Sequence, residues 1–133
     1  MNKFNIACVI DDDEIYTFTI KRIITLAKFA EKTLFFHHGK AALDFFIEYM
    51  GAVESLPDII LLDINMPVLD GWQFMDEFVK LMPHIDKKII VYIVSSSIDD
   101  EDHRKAKEMQ EISDFIVKPV TLDSLLQIME QMA

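Results

Sequence analysis

The sequence predicts an α/β domain, a doubly wound parallel sheet of five strands with helices on both faces. The unbroken aliphatic run Ile59-Ile60-Leu61-Leu62, bounded by Pro57-Asp58 and by a loop through Asn65-Met66-Pro67, reads as a short strand buried on both faces. Short apolar runs alternate with segments whose apolar residues recur at three- and four-residue spacing. Repeated βα units of this kind, joined by right-handed crossovers, place helices on both faces of a parallel sheet. The chain has 133 residues, 51% of them hydrophobic, which suits one core and a single domain over residues 1–133. No repeat, linker or low-complexity segment divides it.

Phe4–Ile10 is the first predicted strand, and it stops at Asp11-Asp12-Asp13-Glu14. A helix over about 14–30 follows, with Tyr16, Ile20, Ile23, Ile24 and Ala27 on one face. Asp13 is placed to cap it, and acids at its start suit the macrodipole. Thr33 to His37, rich in β-formers, is the second strand. Gly39 opens a second helix with Ala42, Phe45, Phe46 and Tyr49 on one face, and Gly51 is expected to end it. The third strand runs to Leu62. The third helix covers about 71–82, with Phe74, Met75, Phe78 and Met82 on one face, and Pro83 ends it.

Lys88 to Val94 is the fourth strand, followed by Ser95-Ser96-Ser97, an expected N-cap cluster. The fourth helix, about 99–110, is polar, with Ile98, Ala106 and Met109 its few apolar residues. It is expected to be the most weakly packed and most mobile element. Phe115 to Val117 is a short fifth strand ending at Lys118-Pro119. The last helix, about 121–132, is expected to turn Leu122, Leu125, Leu126 and Met129 inward.

The formal net charge is −10. That favours solubility and argues against direct contact with nucleic acid or an anionic membrane, both of which need a basic face. The single cysteine, Cys8, excludes an internal disulfide; its apolar setting suggests a buried, reduced thiol. No charged leader precedes an apolar segment, and the apolar runs fall far short of the roughly 20 residues that span a bilayer. A cytoplasmic location is therefore expected.

Four predicted strands end in polar residues: Asp11 and Asp12 after the first, Asp63 after the third, Ser95 after the fourth, Lys118 after the fifth. The carboxyl ends of parallel strands share one edge, where ligands of such sheets bind. Three carboxylates gathered there repel, so without a counterion at least one pKa must rise. A magnesium ion, which takes oxygen ligands, relieves the repulsion. Lys118 adds a fixed positive charge. This set suits phosphoryl transfer, in which positioning and charge neutralisation dominate and a carboxylate can be the nucleophile. Taken singly, these features have plainer readings. An acidic run caps a helix, serines cap, and Lys-Pro is a common loop dipeptide. Asp63 is harder to dismiss, because Asp is a poor strand residue directly after four aliphatics. His37 and His38 have no partner at metal-ligand spacing and read as loop residues. Trp72 and the Phe-rich helix faces read as core or partly covered surface.

Together, Val9-Ile10-Asp11-Asp12, the segment Leu61-Leu62-Asp63-Ile64-Asn65-Met66-Pro67 with Asp70-Gly71, Val94-Ser95, and Lys118-Pro119 resemble the receiver domain of two-component response regulators, over nearly the whole chain. The resemblance implies a flavodoxin-like, chemotaxis-type fold with strand order 2-1-3-4-5. It implies Asp63 as phosphoacceptor, and Mg2+ held by the Asp12 and Asp63 side chains and the Asn65 carbonyl, with Asp11 acting through water. It implies Ser95 and Lys118 on phosphoryl oxygens, Lys118 pairing with Asp63 before phosphorylation, a cis Lys118-Pro119 bond, and a switch made of Ser95 and Phe115. The implied donor is a phosphohistidine on a sensor histidine kinase or phosphotransfer protein. The implied output is a downstream protein, not identified by the sequence, that binds the face of the fourth helix, fifth strand and fifth helix. The chain would not be a turnover enzyme.

Ser95 stands where Thr is commoner and Phe115 where Tyr is frequent, so the switch hydroxyl lacks a methyl and the switch ring a phenol. The loop from Met109 to Asp114 lacks a frequent Gly. Asn65 and Ser97 lie where side chains reach toward attacking water; neither is a strong base, which implies modest self-dephosphorylation. A haloacid-dehalogenase-type phosphatase is the alternative, since Asp11-Asp12-Asp13 matches its Asp-x-Asp. Against it, Ile15 replaces the usual hydroxyl and no acidic pair follows Lys118. The three glycines, at 39, 51 and 71, form no phosphate-cradling loop. The intact acidic pair, Asp63 and Lys118 argue against a receiver that no longer accepts phosphate.

Overall fold

The computed structural model describes residues 3–97 and 99–131. Five strands, β1 (Phe4–Ile10), β2 (Ala30–Phe36), β3 (Ile59–Leu62), β4 (Ile90–Ser95) and β5 (Asp114–Val117), alternate with α1 (Glu14–Ala27), α2 (Gly39–Glu48), α3 (Gly71–Leu81), α4 (Asp100–Glu108) and α5 (Leu122–Gln131). The sheet has the order β2-β1-β3-β4-β5. All four pairings are parallel. This is the doubly wound architecture that the βα alternation predicts, in the flavodoxin-like strand order that the resemblance implies.

The central strands are apolar on both sides, and their period of two sorts side chains into two cores. Cys8, Ile10, Ile60, Leu62, Val91 and Ile93 pack with Ala42 and Phe46 of α2, Phe74 and Phe78 of α3, and Ala106 of α4. Ala7, Val9, Ile59, Leu61, Tyr92 and Val94 pack with Ile20 and Ile24 of α1 and Leu125, Ile128 and Met129 of α5. Phe46, Phe74 and Phe78 form an aromatic group with centroids 4.9–6.4 Å apart. All three are fully buried, each stabilising the fold by about 1.5–3 kcal/mol. Cys8 is buried and free, and burial pushes its thiol pKa up. Among the described residues, no helix is long and apolar enough to cross a membrane.

Several element ends differ from the sequence reading. Helix α1 stops at Ala27, not near residue 30, because Lys28 turns left-handed with φ 52°. Its amide donates to Thr25 O and that of Phe29 to Ile24 O. Strand β2 therefore begins at Ala30, where it pairs with Phe4, and His37 lies beyond its end. Gly51 does not close α2. Tyr49 is the terminal cap, no glycine has positive φ, and the chain enters a 3-10 turn at Val53–Ser55. Pro83 sits inside a second such turn, Met82–His84. The cap of α4 is Asp99, whose carboxylate accepts from Glu101 N, while Ser95 belongs to β4. Tyr49 and Leu122, expected inward, are exposed, and Ile128 is buried instead. Ile98 and Met132, assigned to α4 and α5 from sequence, lie outside the described residues.

Candidate functional site

Three site residues leave their strands by one device. The amide of the first residue after the strand continues the ladder to the neighbouring strand, so its side chain emerges at the sheet's carboxyl edge. Asp11 N donates to Phe36 O at 3.0 Å, Asp63 N to Ile10 O at 2.9 Å, and Lys118 N to Ser95 O at 2.9 Å. Carboxylate oxygens of Asp11, Asp12 and Asp63 consequently lie within 4.8 Å of one another. Asp11 is 2% exposed and Asp63 5%, while Asp12 is open to solvent. Asp63 thus sits recessed beside an exposed partner rather than sealed in the core.

Among the described residues, the cation paired with these acids is Lys118. Its Nζ donates to Asp11 Oδ2 at 2.8 Å and stands 3.8 Å from Asp63 Oδ1. The pairing with Asp63 implied by the resemblance is thus present but the longer of the two, because Asp11 reaches the ammonium first. The Lys118-Pro119 bond is cis. Asp11 Oδ1 accepts from Asp13 N at 2.9 Å, and Asp13 Oδ1 caps α1 by accepting from Ile15 N and Tyr16 N. Burial, and then the Asp11 charge, push the pKa of Asp63 up to about 6; Lys118 opposes this, Asp12 adds to it and the Ile64 amide opposes it. The repulsion argued from sequence thus falls on Asp63.

The loop after Asp63 is tight. Gly71 N donates to Ile64 O at 2.8 Å, and a Cβ on Gly71 would fall 2.5 Å from Asp63 O. A side chain there would push the start of α3 off the backbone that carries Asp63, which accounts for the Asp70-Gly71 pair. Asp70 and Gln73 complete a reciprocal capping box. Val68 has φ 69°, a strained conformation for a β-branched residue. Asn65 lies in this loop, exposed.

Ser95 is fully buried and its Oγ accepts from Ser97 N at 3.2 Å. Ser97 Oγ donates to Asp102 Oδ2 at 2.8 Å and accepts from Asp99 N at 3.2 Å, so this hydroxyl is engaged with α4. Asp102 Oδ1 accepts from Trp72 Nε1 at 3.1 Å. Phe115 stacks on His103 with centroids 3.9 Å apart, and His103 Nε2 lies 3.3 Å from Ser97 O. Trp72, read as core or partly covered surface, is half-buried and links α3 to the segment after Ser95 through Asp102. Tyr16, placed by spacing on the same helix face as Ile20 and Ile24, faces the site, with Lys118 Nζ 4.1 Å from its ring centroid. Helical spacing marked Tyr16 as inward but carried no signal of its partner.

The geometry brings Asp11, Asp12, Asp63 and Lys118 together and sets Asn65 and Ser95 at the same edge. Residues 7–130 match the response regulator receiver domain model. The "Probable methanogenesis regulatory protein FilR2" of Methanothrix harundinacea is 26% identical over 126 residues, 95% of this chain and 79% of that protein. "Transcriptional regulatory protein PrrA" of Mycobacterium leprae is 34% identical over 120 residues, 89% of this chain but only 45% of that protein. The crystal structure of a two-component response regulator from Cytophaga hutchinsonii is 32% identical and superposes with a TM-score of 0.87, covering 98% of this chain and 97% of that one. The chain belongs to the response regulator receiver domain family.

Proposed function

We propose that Asp63 accepts a phosphoryl group from a phosphohistidine of a sensor histidine kinase or phosphotransfer protein. The observation that carries this is the recessed Asp63 carboxylate facing Asp11, Asp12 and a single ammonium, Lys118. An Asp63 oxygen attacks phosphorus, the P–N bond breaks, and the electron pair leaves on the imidazole nitrogen. Lys118 turns from Asp11 and Asp63 toward a phosphoryl oxygen, and Ser95 Oγ hydrogen-bonds another.

The donor set fits a hard divalent cation. Carboxylate oxygens converge within 4.8 Å, with one ammonium to offset them. The residues that would hold Mg2+ are Asp12 and Asp63 directly, Asn65 through its backbone carbonyl and Asp11 through water. When bound, the cation neutralises charge on the acids and on the incoming phosphoryl oxygens. The chain then performs one self-directed phosphotransfer and slow hydrolysis rather than turnover of a substrate.

The modified Asp63 draws Ser95 toward it. Ser97 follows through its amide, and the α4, β5 and α5 face, with Phe115 within it, changes its fit to a downstream protein. Asn65 and the engaged Ser97 offer no strong base to water, so hydrolysis is slow; a phosphoryl half-life of seconds would count against this.

Incubation with Mg2+ and acetyl phosphate, followed by intact-mass measurement, tests the reading. One added phosphoryl mass is expected, lost in Asp63→Asn. Turnover of acetyl phosphate with no added mass would overturn it in favour of the phosphatase reading.

A further inference from the structure

We infer that Tyr16 is a positioning residue for this phosphotransfer, its ring face holding the Lys118 ammonium where Asp63 needs it. The inference rests on the proposed role of Asp63 and extends it to a side chain on α1. The ammonium has Asp11 at 2.8 Å, Asp63 at 3.8 Å and the Tyr16 ring at 4.1 Å from the centroid.

An aromatic face suits that position for two physical reasons. It attracts a cation through its quadrupole without adding net charge, whereas a further carboxylate would deepen the repulsion among Asp11, Asp12 and Asp63. It also takes no directed hydrogen bond. The ring can hold Nζ in place while its N–H bonds swing from Asp11 and Asp63 to a phosphoryl oxygen.

The rest of Tyr16 points the same way. Its hydroxyl is buried with no hydrogen-bond partner among the described residues. The contact that Tyr16 makes with Lys118 is through its ring face. Tyr16 N bonds Asp13 Oδ1 at 3.1 Å, and Asp11 Oδ1 accepts from Asp13 N. The Asp11-Asp12-Asp13 segment thus both supplies the acids and sets the ring.

The test pairs Tyr16→Leu with Tyr16→Phe in the full chain, using acetyl phosphate and Mg2+. Tyr16→Leu is expected to be phosphorylated roughly 3- to 30-fold more slowly, the range set by one partly desolvated cation–π contact. Tyr16→Phe, which keeps the face, should restore the wild-type rate. The Lys118 ε-methylene proton resonances should be shifted upfield by the ring current in the wild type and Tyr16→Phe, and not in Tyr16→Leu. Unshifted Lys118 resonances in the wild type would overturn the inference, whether or not the Leu variant folds. So would a Tyr16→Leu rate equal to wild type, or a Tyr16→Phe rate as slow as Tyr16→Leu. A wild type that takes no phosphoryl group overturns the role of Asp63 instead, a result distinct from any of these.

Discussion

Two aspartates bracket β3 and meet opposite fates. Asp58, before the strand, accepts from Asn5 N and Ile6 N on Oδ2 and pairs with Lys87 at 2.9 Å. Burial alone would push its pKa up, but Lys87 and these amides outweigh it and hold it below the ordinary carboxylate range. Asp63, after the strand, is raised to about 6 by burial first and then by the charges of Asp11 and Asp12, which outweigh Lys118. A carboxyl whose folded pKa is raised binds its proton more tightly in the folded state. Stability then falls as pH rises from about 4 to about 6 and levels off above that. Asp63→Asn lacks this dependence. In metal-free buffer the variant should match wild type near pH 4 and exceed it by about 1–2 kcal/mol above pH 6, after allowance for solvent screening. Urea unfolding across that range checks it; a variant less stable than wild type at pH 8 would show that repulsion does not govern the site.

At the scale of elements, α4 buries only Ala106 and is tied down by polar contacts. Asp102 holds Ser97 Oγ with one oxygen and Trp72 Nε1 with the other, while His103 stacks on Phe115. Lys105 Nζ lies 5.2 Å from the Trp72 ring centroid. The polarity of α4 was legible in sequence, because nine residues running Asp100–Glu108 leave no continuous apolar face. The latch was not, because periodicity reports which face is inward and never which distant side chain meets it. Helix ends show the same boundary. Asp13 and Asp70 announce their caps by residue type, whereas Lys28 adopts a left-handed conformation that its type does not favour, and Gly51 stands near a helix end without closing it. The latch has a measurable consequence. Asp102→Ala should cost about 1–3 kcal/mol through two lost bonds to a charged acceptor, and should red-shift emission from Trp72, the single tryptophan. Unchanged emission would mean that the indole contact does not persist in solution.

Across the whole molecule, the sheet divides its acids by edge. At the amino edge Asp58 is matched by a lysine and two amides and joins β1 and β3. At the carboxyl edge Asp11 and Asp63 share Lys118, with Asp12 beside them. That division follows from parallel strands: every βα junction falls on one edge, so acids placed there collect. It is also why the site was largely readable from the sequence once the strands were, while Tyr16, placed by helix α1, was not. The two edges should respond independently to Mg2+. A cation that binds the folded chain alone adds about 2.7 kcal/mol of stability at a hundredfold excess over its dissociation constant. Asp12→Asn removes a proposed ligand and should abolish most of that increment while leaving the metal-free baseline equal to or above wild type. Asp58→Asn removes a satisfied carboxylate and leaves the Lys87 ammonium, still bonded to Val53 O and Leu56 O, without its counter-charge, so it should lower the baseline yet keep the increment. Thermal unfolding of both variants with and without Mg2+ separates the two effects. If Asp58→Asn lost the increment and Asp12→Asn kept it, the cation would be bound elsewhere than at the carboxyl edge.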